Sequence, residues 1–374
     1  MKEDFKAIES LRFPLVVLVV LIHVNPQVVP LCESGVSIFS SEGLYIVIAT
    51  FLSHVISHMA VPCFFVISGY LFFIHLSDWD WKGYSEKLRR RFCSLLIPYL
   101  IWNIMPFLYI FILKLGAFIL KGKPLTSMIN YVSERGWHVF WDLYSVDCDK
   151  TNWFGFTRGW ISPYNPPMWY IKYLIMVCLL APIIYWLVLK FRIWAVVIFG
   201  MLYLLKAWPW LQCITAIFYF SVGAYFSICE KEMMATFNKR LRYTIPVALL
   251  IMAADVYFDG QYTDVGYYFT HYIFVILGVT VTLGLSYEIS HKPLGHVFSR
   301  LAKYSFFIYA AHAANVMQPI REFLKGYLPY DTLAGLIPYY ILVAGLTILV
   351  CITLFILLNG FCPRMLSVLT GGRS

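Results

Sequence analysis

The chain has 374 residues, 60% of them hydrophobic and only 13% charged, with a formal net charge of +9. A soluble globular domain carries about a quarter charged residues, so this composition, with a mean hydropathy of +0.72, excludes a soluble enzyme or binding module and points to a polytopic membrane protein. The nine cysteines show no metal-ligand spacing and read mostly as small buried hydrophobes, with Cys32 and Cys148 as a weak disulfide candidate, since both fall in segments read as outside the membrane.

A membrane-crossing helix needs about 20 mostly apolar residues, and ten stretches qualify. They run approximately over 10–30, 46–75, 92–120, 168–189, 193–207, 209–229, 243–258, 265–287, 302–322 and 333–361. Met1 to Glu9 is mixed in charge, and no small-residue cleavage site follows the first apolar run. The first helix is therefore expected to be retained rather than removed as a signal peptide. The second stretch is long and contains Pro62, which predicts a kink. The longest connection, about 121–167, is an extracytoplasmic loop closing on RGWISPYNPP. Its Trp137, Trp141, Trp153 and Trp160 suit either an interfacial belt or stacking on sugar rings.

The distribution of cations orients the chain. With the first residues in the cytoplasm, 19 of the 29 lysines and arginines fall on inner segments and helix ends, 9 on outer ones, and Lys172 lies within a helix. Such a bias is the positive-inside signature. The expected fold is all-α: a polytopic membrane helix bundle of about ten transmembrane helices, both termini cytoplasmic, forming one domain over 1–374. The basic balance is read as topology and not as nucleic-acid binding.

Ionisable residues deep in a membrane usually face the bundle interior or a water-filled cavity and mark function. The first helix reads RFPLVVLVVLIH over 12–23. Arg12 and His23 are 11 residues apart, roughly 20° past three full turns and about 16.5 Å along the axis. They therefore point the same way at two depths, with Arg12 near the inner surface and His23 slightly past the centre. The ninth helix carries His312 at a similar depth, with Tyr309 about one turn before it and Asn315 about one turn after. Two such histidines either face one cavity or hold two helices together. His54 and His58 form an i, i+4 pair without a carboxylate or cysteine at ligand spacing, which favours a structural role, and no metal site is expected. The basic run KLRRRF, 87–92, sets topology, binds anionic headgroups or holds the phosphates of a nucleotide-like molecule.

These residues together resemble the acyltransferase-3 family of integral membrane acyltransferases. RFPLVVLVVLIH is similar to its first-helix Arg-x10-His pattern, VPCFFVISGYLFF (61–73) to its second-helix signature, and KLRRRFCSLLIPYLIWN (87–103) to its basic approach to the third. PPMWYIKYLI (166–175) and YSFFIYAAH (304–312) follow in the usual order, and the chain resembles the type without an added extracellular domain. Where the family often has Arg-x-x-Arg, this chain has Lys87-x-x-Arg90. Lysine makes no bidentate phosphate contact, which leaves open which of Arg89, Arg90 and Arg91 takes that role.

The resemblance implies transfer of an acyl group, commonly acetyl, from cytoplasmic acyl-CoA to a hydroxyl of a surface glycan or its precursor, in a bacterial cytoplasmic membrane. Lys87, Arg89, Arg90 and Arg91 would hold the phosphates of the acyl-CoA donor. A neutral His23 would take the proton of the acceptor hydroxyl as it attacks the thioester. Arg12 would bind the donor or stabilise developing charge. His312, Tyr309 and Asn315 would orient the acceptor or polarise the carbonyl, and Trp169 either lines the acceptor's path or anchors the interface. The rival reading is a transporter or flippase of a lipid-linked saccharide or small polar solute, which intramembrane histidines also suit.

Overall fold

The computed structural model describes residues 2–24, 29–74, 79–122, 124–135, 140, 163–205, 211–259 and 268–373. No strand occurs among them. Cys148, Trp137, Trp141, Trp153 and Trp160 lie outside the described residues.

Six helices are long and apolar enough to cross a membrane: Glu3–Val24, Ser41–Phe73, Trp81–Leu120, Leu241–Phe258, Phe269–Ser290 and Leu333–Phe361. Pro166–Leu179 and Ala181–Phe191 add a seventh if they count as one span, bent by 64°. Ile193–Leu204 and Cys213–Ile228 are shorter apolar helices. The stretch expected as one ninth helix is instead four consecutive pieces: a 3-10 turn Ala302–Tyr304, an α-helix Ser305–Ala311, a π-turn His312–Val316 and an α-helix Met317–Lys325. Over their described residues the ten expected stretches are mainly helical, but by length and composition the spans among the described residues number six, or seven with the bent pair.

Prolines explain several of the breaks. A proline inside a helix has no N–H, so the carbonyl four residues earlier loses its partner. Pro182 does this to Cys178 at the 64° bend, and the Tyr84 hydroxyl is placed 3.3 Å from the Cys178 carbonyl and 3.0 Å from that of Leu179. Pro98 does the same to Ser94, within a π-turn Phe92–Leu96. The kink expected at Pro62 is spread over the turns ahead of it, a π-turn Phe51–Val55 followed by a 3-10 turn Ile56–Met59. Pro319 follows the π-turn that begins at His312.

The first helix is central. Leu15, Val16, Val19, Val20 and Val24 are buried along it, and it packs against the second, eighth, ninth and tenth segments. The closest helix pair is Ala60–Phe73 with Leu211–Ile228. A Cβ at Gly69 would overlap the carbonyl of Phe220, and one at Gly223 the carbonyl of Val66. In lipid, where apolar surface alone gives little drive between helices, such backbone approach is what packs them. Ile341, Leu349 and Ile356 on the last span stay exposed, as a lipid-facing stripe requires.

Polar contacts tie the two ends of the bundle. At one end, Asp4 accepts from the Tyr70 hydroxyl at 2.8 Å and from the Met234 N–H at 3.0 Å, and Glu3 lies 2.6 Å from His291 Nε2. At the other, the Tyr45 hydroxyl donates to the Tyr330 carbonyl at 3.2 Å, and Cys32 is a free thiol 3.8 Å from the Phe258 carbonyl. Its expected partner Cys148 lies outside the described residues.

Candidate functional site

The structure brings His23 and His312 together, with ring centroids 5.0 Å apart and planes inclined by 47°. His23 lies in the last turn of the first helix, half-buried, and its carbonyl accepts from Arg321 Nη1 at 3.2 Å. His312 is fully buried and opens the π-turn, the kind of local insertion often found at functional sites. Its Nδ1 sits 3.0 Å from the Ile308 carbonyl. A carbonyl only accepts, so that nitrogen carries the proton, and in the neutral ring Nε2 then presents a lone pair. His312 Nε2 is buried without a hydrogen-bond partner, as is Arg321 Nε. Unsatisfied buried polar atoms are costly, and both belong to side chains that touch His23, which marks a place able to receive a polar group.

A second layer of polar contacts holds this region in place. Asn165 is buried at the start of the fourth segment. Its N–H donates to Asn103 Oδ1 at 2.9 Å and its Nδ2 to the Ala310 carbonyl at 2.9 Å, while its Oδ1 has no partner. The Tyr309 hydroxyl donates to the Pro167 carbonyl. Tyr309 is thereby a clamp between the fourth and ninth segments, with its hydroxyl already engaged. Trp169 is half-buried and packs against Phe65 and Tyr173 at centroid distances of 6.2 and 6.3 Å. The side chain of Asn315 lies outside the described residues.

The basic run divides by exposure. Arg89 and Arg90 are exposed. Lys87 turns inward, its Nζ donating to the Phe72 carbonyl at 2.7 Å and lying 5.6 Å from the Phe72 ring, so it ties the end of the second span. Arg91, one turn further on, is half-buried, and its charge acts on Arg373. Arg373 follows the last described helix, Pro363–Thr370. Burial, then the charge of Arg91, push its pKa down to about 10. Arg12 is exposed and also acts on Arg373. It is one regular helix away from His23 and makes no pair with it.

A separate histidine cluster lies where the seventh and eighth segments meet the second. His54 Nδ1 is 2.8 Å from Asp259 Oδ2 and His271 Nδ1 is 3.0 Å from Asp255 Oδ2. His58 Nδ1 is 3.3 Å from His271 Nε2. The carboxylate that His54 lacks locally comes from Asp259, about 200 residues away in the chain. Among the described residues, no three His, Cys, Asp or Glu side chains are arranged to hold a metal ion.

Sequence reasoning missed Arg321, Asn103, Asn165 and Arg373. Asn165 directly precedes Pro166 and Pro167, a pair that exposes backbone carbonyls without offering N–H groups, and that was its one available signal. Arg321 reads in sequence as a cation at the outer end of the ninth helix.

A family model described as an acyltransferase domain matches residues 5–356. The chain is similar to the succinoglycan biosynthesis protein ExoH of Rhizobium meliloti (strain 1021), 23% identical over 376 residues that cover 98% of this chain and 92% of that protein. No solved structure matches.

Proposed function

The chain belongs to this acyltransferase family, and on that premise we propose that it moves an acyl group, in the first instance acetyl, from cytoplasmic acyl-CoA to a hydroxyl of a cell-surface polysaccharide or its precursor. The observation that carries the site is the facing pair His23 and His312 with the unpartnered His312 Nε2. The polysaccharide acceptor is suggested by the biosynthesis protein to which the chain is similar.

In this reading His23 is the general base. The acceptor oxygen forms a bond to the thioester carbonyl carbon as its proton passes to a ring nitrogen of His23. The C–S bond then breaks, and the proton is delivered to the leaving thiolate. His312 Nε2, unpartnered in the resting protein, takes up the other ring N–H of His23 when the substrates bind, which orients the base with its lone pair toward the acceptor. Arg321, whose Nη1 is bound to the His23 carbonyl, stabilises the negative charge that develops on the carbonyl oxygen. Asn165 and Tyr309 hold the walls.

The same reading takes ten crossings of the bacterial cytoplasmic membrane with both chain ends inside. The six long spans, the bent pair, the two shorter helices and the composite ninth segment supply them. It is supported by the contacts at the two ends of the bundle. Glu3 and Asp4 meet Tyr70, Met234 and His291, all at ends expected inside, and Cys32 and Tyr45 meet Phe258 and Tyr330, all expected outside.

The test is binding and turnover of labelled acetyl-CoA by the purified protein with polysaccharide acceptors, beside His23→Ala and His312→Ala. Wild type is expected to bind the donor and label the acceptor. His23→Ala should bind the donor and fail to transfer. If wild type neither binds nor turns over acyl-CoA, the reading is lost, and saccharide flux into liposomes without any donor would replace it with transport.

A further inference from the structure

Two left-handed glycines, Gly371 at φ 62° and Gly372 at φ 76°, turn the chain back after Pro363–Thr370. A Cβ at Gly371 would overlap the Ser94 carbonyl, so only glycine lets the backbone come this close. Leu366, Leu369 and Thr370 are buried, and Trp102 Nε1 donates to the Leu369 carbonyl at 3.0 Å. The segment is therefore fixed against the third span. It delivers Arg373 to the carbonyl that Pro98 leaves without a partner: Arg373 Nη1 donates to the Ser94 carbonyl at 2.9 Å and to that of Thr370 at 3.0 Å. The guanidinium carbon lies 4.4 Å from the Phe306 ring centroid.

Those contacts use one nitrogen of the guanidinium. Arginine has five N–H donors in a planar fork, and among the described residues the three on Nε and Nη2 have no recorded partner. No carboxylate pairs with Arg373 or Arg91 either. Ser94 is three residues after Arg91, about 4.5 Å along the helix, and the charge of half-buried Arg91 acts on Arg373, so a second guanidinium shares this end of the third span with the fork. Two desolvated arginines side by side repel each other, and an anion that bridges them removes the penalty. A planar fork with a free edge suits a phosphate in particular.

We propose that Arg373 and Arg91 form the phosphate subsite for the acyl donor, so that the segment after the last span completes the donor site. This rests on the acyl-CoA reading above. It also assigns the role left open among the three arginines to Arg91, and places the second phosphate ligand beyond residue 356, where the family match ends.

The experiment measures binding of adenosine 3′,5′-bisphosphate to the purified full chain, together with turnover of acetyl-CoA and of acetyl-pantetheine, which lacks the nucleotide. Arg373→Ala and Arg91→Ala should each weaken the bisphosphate and raise KM for acetyl-CoA by tenfold or more. Turnover of acetyl-pantetheine should be unchanged, and Arg373→Lys should recover only part of the affinity. An Arg373→Ala protein with wild-type bisphosphate affinity overturns the proposal, and so does equal loss toward both donors, which would make Arg373 a packing residue. If wild type ignores the bisphosphate but binds phosphatidylglycerol vesicles through Arg373, the subsite belongs to a lipid headgroup and the proposal fails. If wild type binds the bisphosphate through Arg373 yet transfers from neither thioester, the subsite stands and the acyl-transfer reading falls.

Discussion

Two histidine clusters occupy one bundle, and they differ in how their ring nitrogens are occupied. In the cluster of His54, His58 and His271, carboxylates take the donors: Asp259 faces His54 Nδ1 and Asp255 faces His271 Nδ1. With Nδ1 of His271 protonated toward Asp255, its Nε2 accepts from His58 Nδ1, so both ring nitrogens of His271 are engaged. In the pair His23 and His312, a backbone carbonyl fixes one proton, and Nε2 of His312 is left with a lone pair and no partner. A histidine whose nitrogens are both engaged holds helices together, whereas one that keeps a lone pair in a dry site retains chemistry to offer. The more conspicuous pair in the sequence, His54 and His58 at i, i+4, is the one whose Nδ1 atoms face Asp259 and His271.

The sharpest way to break this contrast is to remove one histidine from each cluster. His23→Ala should lower the acyl-transfer rate by about 10²–10⁴-fold, the usual contribution of a general base, without moving the unfolding midpoint in detergent. His54→Ala should do the reverse, lowering the midpoint with a rate per folded molecule within a few-fold of wild type. Should His54→Ala abolish transfer in folded protein, the division of labour between the clusters is wrong.

A milder variant sharpens the structural side. Asp255→Asn keeps the shape and an acceptor oxygen while removing the charge that His271 Nδ1 faces. A hydrogen bond to a charged group contributes about 1.5–3 kcal/mol, so the variant should unfold at lower temperature by a corresponding amount, read by thermal denaturation in detergent. KM for both substrates should stay put. A changed acceptor KM would place this cluster on the acceptor's route and dissolve the contrast.

The long spans were legible because hydropathy over about 20 residues is a local signal, and Glu3–Val24 and Leu333–Phe361 carry it without interruption. The spacing of Arg12 and His23 put His23 slightly past the centre of a helix over 10–30, whereas the described helix Lys2–Val24 carries it in its last turn. What sequence could not show is who answers a proline. Pro98 announces a freed carbonyl at Ser94, but nothing local says that Arg373, nearly 280 residues on, takes it. The same holds for Asp255 and Asp259, which reach His271 and His54 only through the fold. The π-turn that begins at His312 is likewise a departure that regular 3.6-residue spacing does not announce.

Tyr309 gives the smallest effect and the finest cut between the two kinds of site. It is a neighbour of His312 on the ninth segment, and by position it invites a role with the acceptor. Its hydroxyl, however, is bound to the Pro167 carbonyl, an oxygen that is buried with its residue. Its ring packs edge-on against Tyr170 at 5.8 Å. Tyr309→Phe keeps the ring contact and deletes one neutral hydrogen bond, about 0.5–1.5 kcal/mol. The variant should therefore lose a few degrees of thermal stability while kcat and both KM values hold. A rise in acceptor KM at unchanged stability would mean that the hydroxyl leaves Pro167 for the acceptor during turnover, and Tyr309 would then join His23 on the reactive side of the division.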